Sequence, residues 1–394
     1  MKIGVVFLVL GYVLSQFYRA FLAVLTPDLQ ADLGATPEML SVSSGLWFVS
    51  FAAMQVPIGW ALDHVGPRKT ASWLLAIGGG LGAAVFAMAQ GIWAIHSAMI
   101  LIGIGCAPVL MASYFIFARQ YAPAVFGTLA GAVIGFGSLG NIAASLPLAW
   151  AVELMGWRMT LWAMAGITVI VAGLLWVTIE DPEKVTHEGG QKGSLLDLLK
   201  IPALWLIIPL MLVNYAPSMG LRALWSGPFL SDVYGMDAGG IGQVTLAMGL
   251  AMIAGSFAYG PMDRLFGTRK WVIFAGNLMG AVAVLTLAFA PESGIIAVTV
   301  LMMLSGLFGA SFPLMMAHGR AFFPPHLVGR GVTLMNLFGI GGVGLMQFAS
   351  GPLFRGFRGE TGSGLDGYPE LFTTFGVALL IGCVIYLFSK DRTD

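Results

Sequence analysis

Two arginines stand where a charge is hardest to keep. Arg19 interrupts the apolar run over residues 3–25, and Arg222 interrupts the run over 203–225. A guanidinium is always charged and offers five N–H donors in a planar fork that matches a carboxylate or phosphate. Inside a helix that crosses lipid, such a group is costly and marks a functional site by default. Tyr12, Gln16 and Arg19 share one helical stripe at spacing i, i+4, i+7, and Tyr215, Ser218, Arg222 and Trp225 share another. No Asp or Glu lies in the middle of an apolar run to neutralise either arginine. Asp28, Glu38, Glu153 and Asp232 all sit near run ends. Uncompensated positive charge at these two stripes asks for an anionic substrate held through paired hydrogen bonds. The competing role for each arginine is to snorkel or to bond backbone carbonyls.

Further polar side chains lie in the runs: Asn141, Asn214, Asn336 and Gln347. In a spanning helix such residues serve either as hydrogen-bonding glue between helices or as ligand contacts. His96 and His318 fall near run ends, so neither reads as a proton relay. Coupling is therefore expected through a counter-anion, or through a proton carried by the substrate itself. No cofactor is implied.

These side chains need elements to hold them, and composition says which kind. Of 394 residues, 58% are hydrophobic and only 10% charged, against roughly 25% charged in soluble proteins. Lipid must be the main solvent. A helix needs about 20 apolar residues to cross the hydrocarbon, and twelve such runs can be drawn. They are 3–25, 41–62, 71–90, 94–117, 126–150 and 159–178, then 203–225, 241–260, 271–290, 295–318, 331–352 and 371–388. The run at the N-terminus begins with one Lys, but Arg19 interrupts it and no small-residue cleavage site follows, so it reads as an uncleaved first span. The 54 glycines fit close helix packing in lipid. Net charge is zero and no basic run occurs, which excludes a nucleic-acid partner. Cys106 and Cys383 both lie in apolar runs, so neither a disulfide framework nor a metal site is expected.

The predicted fold class is an all-α membrane protein of twelve transmembrane helices in two pseudo-symmetric six-helix bundles. The bundles cover 1–179 and 203–394, with a polar cytoplasmic linker over 180–202. Of the 19 Lys and Arg residues, 14 fall on one side of the membrane when the spans are threaded, including Arg68, Lys69, Arg119, Arg264, Arg269, Lys270, Arg320 and Arg330. The positive-inside bias puts that side, and both termini, in the cytoplasm. A bacterial-type inner membrane and a monomer are the expectation.

The halves repeat at one offset. Asp63 is matched by Asp263, Pro27 by Pro228, Arg119 by Arg320, Pro123 by Pro324, Phe136 by Phe338 and Gly137 by Gly339, all 200 to 202 residues apart. Chance apolar similarity would not hold one offset across polar landmarks in separate loops. Arg222 stands two residues off the repeat position of Arg19, about 200° around a regular helix.

After the second run comes Gly59-Trp60-Ala61-Leu62-Asp63-His64-Val65-Gly66-Pro67-Arg68-Lys69. After the eighth comes Gly260, then Asp263-Arg264-Leu265-Phe266-Gly267-Thr268-Arg269-Lys270. This pair resembles the cytoplasmic loop signature G-x-x-x-D-x-x-G-x-R-K of the major facilitator superfamily. The first copy lacks the common basic residue at His64 and Pro67, and the second has one extra residue before Gly267. Gly59 and Gly66 would allow close packing and a tight turn. The aspartates would accept from helix N-terminal amides and pair with a nearby arginine. With Arg119 and Arg320 these groups make a candidate conformational latch, and fixing topology is the alternative role. The resemblance implies alternating access around a site near the midplane. Within the family, the first span resembles that of organophosphate and related organic-anion permeases, which implies that Arg19 grips the anion. The seventh span departs from that pattern, where the arginine would fall near Met219.

Three other classes compete with this one. Drug exporters carry a Gly-Pro in the fifth span, where this chain reads GAVIGFGSLGN over 131–141. A Cu(I) transporter would use soft thioethers, and Met248 with Met252, or Met315 and Met316 beside His318, are spaced for it. Scattered Met residues are ordinarily packing residues. No serine- or metalloprotease pattern lies in the runs, so an enzyme is not expected, and no soluble output domain suits a receptor.

Overall fold

The computed structural model describes residues 3–121, 123–182, 198–324, 328–359 and 364–393. Most of the expected linker, including Lys184 and Lys192, lies outside them. The described chain is all helical, and ten helices are long and apolar enough to cross a membrane. Their exposed side chains are themselves apolar, among them Leu154, Val177, Phe257, Phe289 and Ile296. So much exposed apolar surface suits contact with lipid rather than water.

The seventh span is missing from that count for a physical reason. The seventh is not one helix. It runs as Ile208–Asn214, Ala216–Gly220, a π-helical turn Leu221–Trp225, and Ser226–Tyr234. Pro217 cannot donate to the carbonyl four residues back, so the ladder breaks ahead of it. The fifth is the helix Pro123–Ala143. Its expected end at 150 is also corrected. The chain turns at Ala144 and Ser145, restarts at Leu146, and breaks at Gly156, whose φ of 77° only glycine adopts readily.

The chain forms two compact units. One comprises Met1–Thr186 with Asp237–Leu246, the other His187–Met236 with Ala247–Asp394. In the first, the opening span Ile3–Ala20 packs against the fifth, Pro123–Ala143. Glycines allow this. A Cβ on Gly137 would collide with the Tyr12 ring, and one on Gly140 with the Val13 carbonyl. The second unit repeats the device. Gly339 and Gly342 of the eleventh span, Val328–Arg358, lie against Phe312 and Leu212.

Contacts at the far ends of the first and seventh spans repeat too. Asp32, in the short helix Thr26–Leu33 after the first span, accepts from the Trp157 indole at 2.8 Å. Asp232, 200 residues on, accepts from Arg358 at 3.2 Å and from the Tyr368 hydroxyl at 2.9 Å. Both cysteines are buried and free.

Candidate functional site

In the first unit, Tyr12, Gln16 and Arg19 are all buried on the first span. The second span, Pro37–His64, brings Trp47 and Phe51 to the arginine. Its Cζ lies 5.4 Å from the centroid of each ring. The two rings stack at 5.1 Å and 18°. Cation–π attraction of this kind holds a guanidinium without neutralising it. Arg19 is 8% exposed, and its Nε has no hydrogen-bond partner. Among the described residues no carboxylate makes an ion pair with it. Ser15 Oγ, Gln16 Oε1 and Trp47 Nε1 are likewise buried without partners. Such orphaned groups are rare in folded proteins, because each forfeits its hydration. Together they are a buried monocation with polar neighbours in want of a ligand.

Trp47 and Phe51 were missed by the sequence reading. Their signal was an aromatic pair at i, i+4, but such pairs are common in core stripes, and nothing in the spacing points to residue 19.

In the second unit, Arg222 is 1% exposed and lies in the π-helical turn. A π turn carries more residues per turn than an α-helix. That changes the aim of Arg222 from what a regular helix and a two-residue register shift would give. Gly249 of the eighth span, Ala238–Phe266, makes room for it. A Cβ there would sit 3.1 Å from Nη2 and 3.3 Å from Nε. The rest of the predicted stripe separates. Tyr215 lies beside Phe312, with ring centroids 5.4 Å apart. Ser218 packs on Gly309 of the tenth span and donates to the Tyr215 carbonyl. Trp225 belongs to the core. It is fully buried, donates to Ser350 Oγ at 2.9 Å and packs on Phe354. Asn141 and Asn336 are each half-buried, on the fifth and eleventh spans.

The loop motifs form networks inside each unit. In the first, Asp63 accepts from Arg119 at 3.2 Å. The helix N-terminal amide is taken by a different carboxylate. Arg68 N donates to Asp181 Oδ1 at 2.8 Å, and a Cβ on Gly66, whose φ is 103°, would press on that same carboxylate. The Arg68 guanidinium lies over Trp176 at 4.6 Å. In the second, Asp263 pairs with Arg269 inside the motif, at 3.0 Å, rather than with Arg320. Asp391 takes the amides of Arg269 and Lys270, at 3.2 and 2.9 Å, and the Thr268 hydroxyl. Burial alone would raise the Asp391 carboxyl. The Thr268 hydroxyl and the two amides outweigh it and hold the carboxyl below its ordinary range. Arg269 also donates to the carbonyls of Arg392 and Thr393, and Lys270 Nζ to that of Leu387.

Two expectations are corrected here. The motif aspartates do not take the helix N-terminal amides; Asp181 and Asp391 do. Gly59 supports no close packing, since a Cβ there meets nothing within 4 Å. Lys69, Arg264 and Arg320 are exposed. Arg264 with Asp263, Gly267 and Arg269 lines a cavity of about 560 Å³, and Arg320 lines its neighbour.

Ten helices long and apolar enough to span, a duplicated architecture and a buried arginine that no described carboxylate pairs are the marks of a multi-pass membrane protein. Residues 8–237 and 211–394 match the Major Facilitator Superfamily, and the chain belongs to that superfamily. It is similar to a D-galactonate transporter of Escherichia coli O6:H1, at 27% identity over 183 residues, 45% of this chain and 40% of that one. It is also similar to a putative tartrate transporter of Agrobacterium vitis, at 24% over 318 residues, 72% of this chain and 70% of that one. The first of these matches thus spans less than half of the relative's length. Among solved structures, a bacterial homologue of the human lysosomal transporter Spinster superposes with a TM-score of 0.80, at 17% identity, over 98% of this chain and 96% of that one.

Proposed function

We propose that this protein carries a small organic anion, of the hydroxylated carboxylate kind, across a bacterial-type inner membrane by alternating access, with both termini cytoplasmic. The observation that carries the reading is Arg19. It is a buried guanidinium that no described carboxylate pairs, set beside two stacked aromatic rings. A single unpaired arginine balances one negative charge, which suits a monocarboxylate better than a phosphate dianion. Ser15, Gln16 and Trp47 supply unpartnered polar atoms nearby for hydroxyl groups. The name of the galactonate relative agrees with this chemistry, and that of the tartrate relative agrees in its hydroxylated carboxylate but carries a second charge. Arg68, Lys69, Arg264, Arg269 and Lys270 cluster at the loops read as cytoplasmic and support the orientation.

The test is uptake into liposomes against a panel of sugar acids, dicarboxylates, phosphate esters, sulfonates and neutral sugars. Transport of a hydroxycarboxylate is expected. Arg19→Ala should weaken its apparent affinity by roughly ten- to a hundredfold, as loss of a charge-assisted bond of about 1.5–3 kcal/mol implies. Selective transport of a neutral or cationic compound would sink the reading. So would an Arg19→Ala protein with the affinity of the parent.

A further inference from the structure

The two copies of the loop motif carry the same residues and pair them differently. Asp63 and Asp263, Arg68 and Arg269, and Arg119 and Arg320 are repeat mates, 200 or 201 residues apart. In the first unit Asp63 takes Arg119 from the end of the fourth span, and Arg68 lies over Trp176. In the second unit Asp263 takes Arg269 from its own loop. Arg320, the mate of Arg119, makes no ion pair with a described residue. Yet it lines the cavity beside the one that Asp263 lines, and the two cavities share Arg269, Pro313 and Ala317 as walls.

The donors of Arg269 explain the difference. A guanidinium has five N–H groups, and here all five are committed. Nε and one Nη2 proton go to Asp263 Oδ2, at 3.2 and 3.0 Å. Nη1 gives to the carbonyls of Ala317 and Arg392, at 3.4 and 3.2 Å, and Nη2 gives to that of Thr393 at 3.1 Å. Two of the five therefore go to main chain beyond the twelfth span. Both bonds to Asp263 land on Oδ2, and Oδ1 accepts from no described residue.

The segment that supplies those carbonyls, Lys390–Thr393, is itself tied down from several sides. Asp391 takes the amides that open the ninth span and the Thr268 hydroxyl. His318, on the tenth span, donates from Nε2 to the Lys390 carbonyl at 3.0 Å. Arg392 donates from Nη1 to the Ala321 carbonyl at 3.0 Å, and its guanidinium lies 4.9 Å from the centroid of the Phe322 ring.

An ion pair open to solvent is weak by itself. The choice of Asp263 between two arginines is therefore set by the other acceptors that each arginine finds. Without the Arg392 and Thr393 carbonyls, Arg269 loses two fixed acceptors. Arg320 then offers Asp263 the same charge-assisted bond that Arg119 gives Asp63.

We propose that Lys390–Thr393 is a regulatory strap that holds Asp263 on Arg269, and that its release lets Asp263 pair with Arg320. The second copy of the motif then has two states, and the first unit displays the pairing of the other one. The proposal does not depend on which anion the protein carries.

The test is a pair of double-mutant cycles, read by thermal unfolding of the full-length protein in detergent. They are run in the parent and in a released protein carrying Asp391→Asn and Arg392→Ala, which cuts ties of the strap to the ninth span and to Ala321. In the parent, Asp263→Asn with Arg269→Gln should unfold no lower than the worse of the two single variants, because either change breaks the same pair. Asp263→Asn with Arg320→Gln should show additive shifts. In the released protein the two patterns should exchange, with Asp263 now coupled to Arg320. Additive shifts for Asp263 and Arg320 in the released protein would make the segment a static cap. Coupling of those two residues already in the parent would mean that no exchange takes place, and either result overturns the proposal. Should the released protein lack a single cooperative transition, Asp391→Asn alone takes its place, with the same outcomes deciding.

Discussion

Arg19 and Trp47 form one piece of chemistry supplied by two spans. The guanidinium carries the charge, and the indole contributes a ring face 5.4 Å away and an unpartnered N–H. These two contributions can be separated. Trp47→Phe keeps a ring and deletes the donor, so it should raise KM for the proposed anionic substrate several-fold, for a hydrogen bond of about 1 kcal/mol, with kcat little changed. Trp47→Leu also removes the cation–π support, worth about 0.5–2 kcal/mol, and should cost more. Equal KM values for the parent and both variants would show that the indole only fills space. Arg19 itself was legible in the sequence because a charge in an apolar run has few innocent explanations. Trp47 was not, since its importance lies in a tertiary contact across 28 residues of chain. Trp225 shows the opposite failure. It shares a helical stripe with Arg222, yet Ser350 and Phe354 claim it for the core.

At the scale of elements, glycines decide how closely the spans approach. The first and fifth spans meet so that the Gly140 Cα faces the Val13 carbonyl. Gly140→Ala should therefore force the helices apart, with a loss of about 1–3 kcal/mol, as overpacking of a tight interface costs. Gly166→Ala and Gly173→Ala, where a new Cβ meets nothing within 4 Å, should be neutral or slightly stabilising, because Ala favours the helix by about 1 kcal/mol. Melting in detergent, followed by loss of the monodisperse peak, distinguishes them. If Gly166→Ala proved as damaging as Gly140→Ala, close approach would not be the cause. The Gly137–Gly339 pair was visible as a repeat, and its partners were not. The broken seventh span has its mark in the sequence at Pro217. The π turn that follows left no mark in the apolar pattern, because it changes the winding without changing which residue types suit lipid.

Across the whole molecule the duplication extends to a brace that the offset of 200 to 202 did not reveal. Asp181 follows the sixth span and takes the amide that opens the third; Asp391 follows the twelfth and takes the amides that open the ninth. They stand 210 residues apart, 391 minus 181, so a search at the common offset passes over them. Function is conserved between the halves at these positions while register is not, since a chain leaving a helix end can reach the same amides from more than one length of tail. Each carboxylate acts on a helix N-terminus, where the cap and the dipole together are worth about 0.5–2 kcal/mol, at the lower end for an exposed group. Asp391→Asn should therefore destabilise the protein by about 0.5–1 kcal/mol near pH 7. Because the folded carboxyl is held below its ordinary range, this stabilisation is complete above the unfolded value of about 4 and is lost as pH falls through the lower folded value. Parent and variant should converge only in strongly acidic solution, and a gap that widened on acidification would have the wrong sign. Asp181 and Asp391 brace different units and share no hydrogen-bond partner among the described residues. The double variant Asp181→Asn with Asp391→Asn should then lose the sum of the single losses to within about 0.5 kcal/mol. A double loss well beyond that sum would show that the two braces act on one shared equilibrium rather than on two separately stabilised halves.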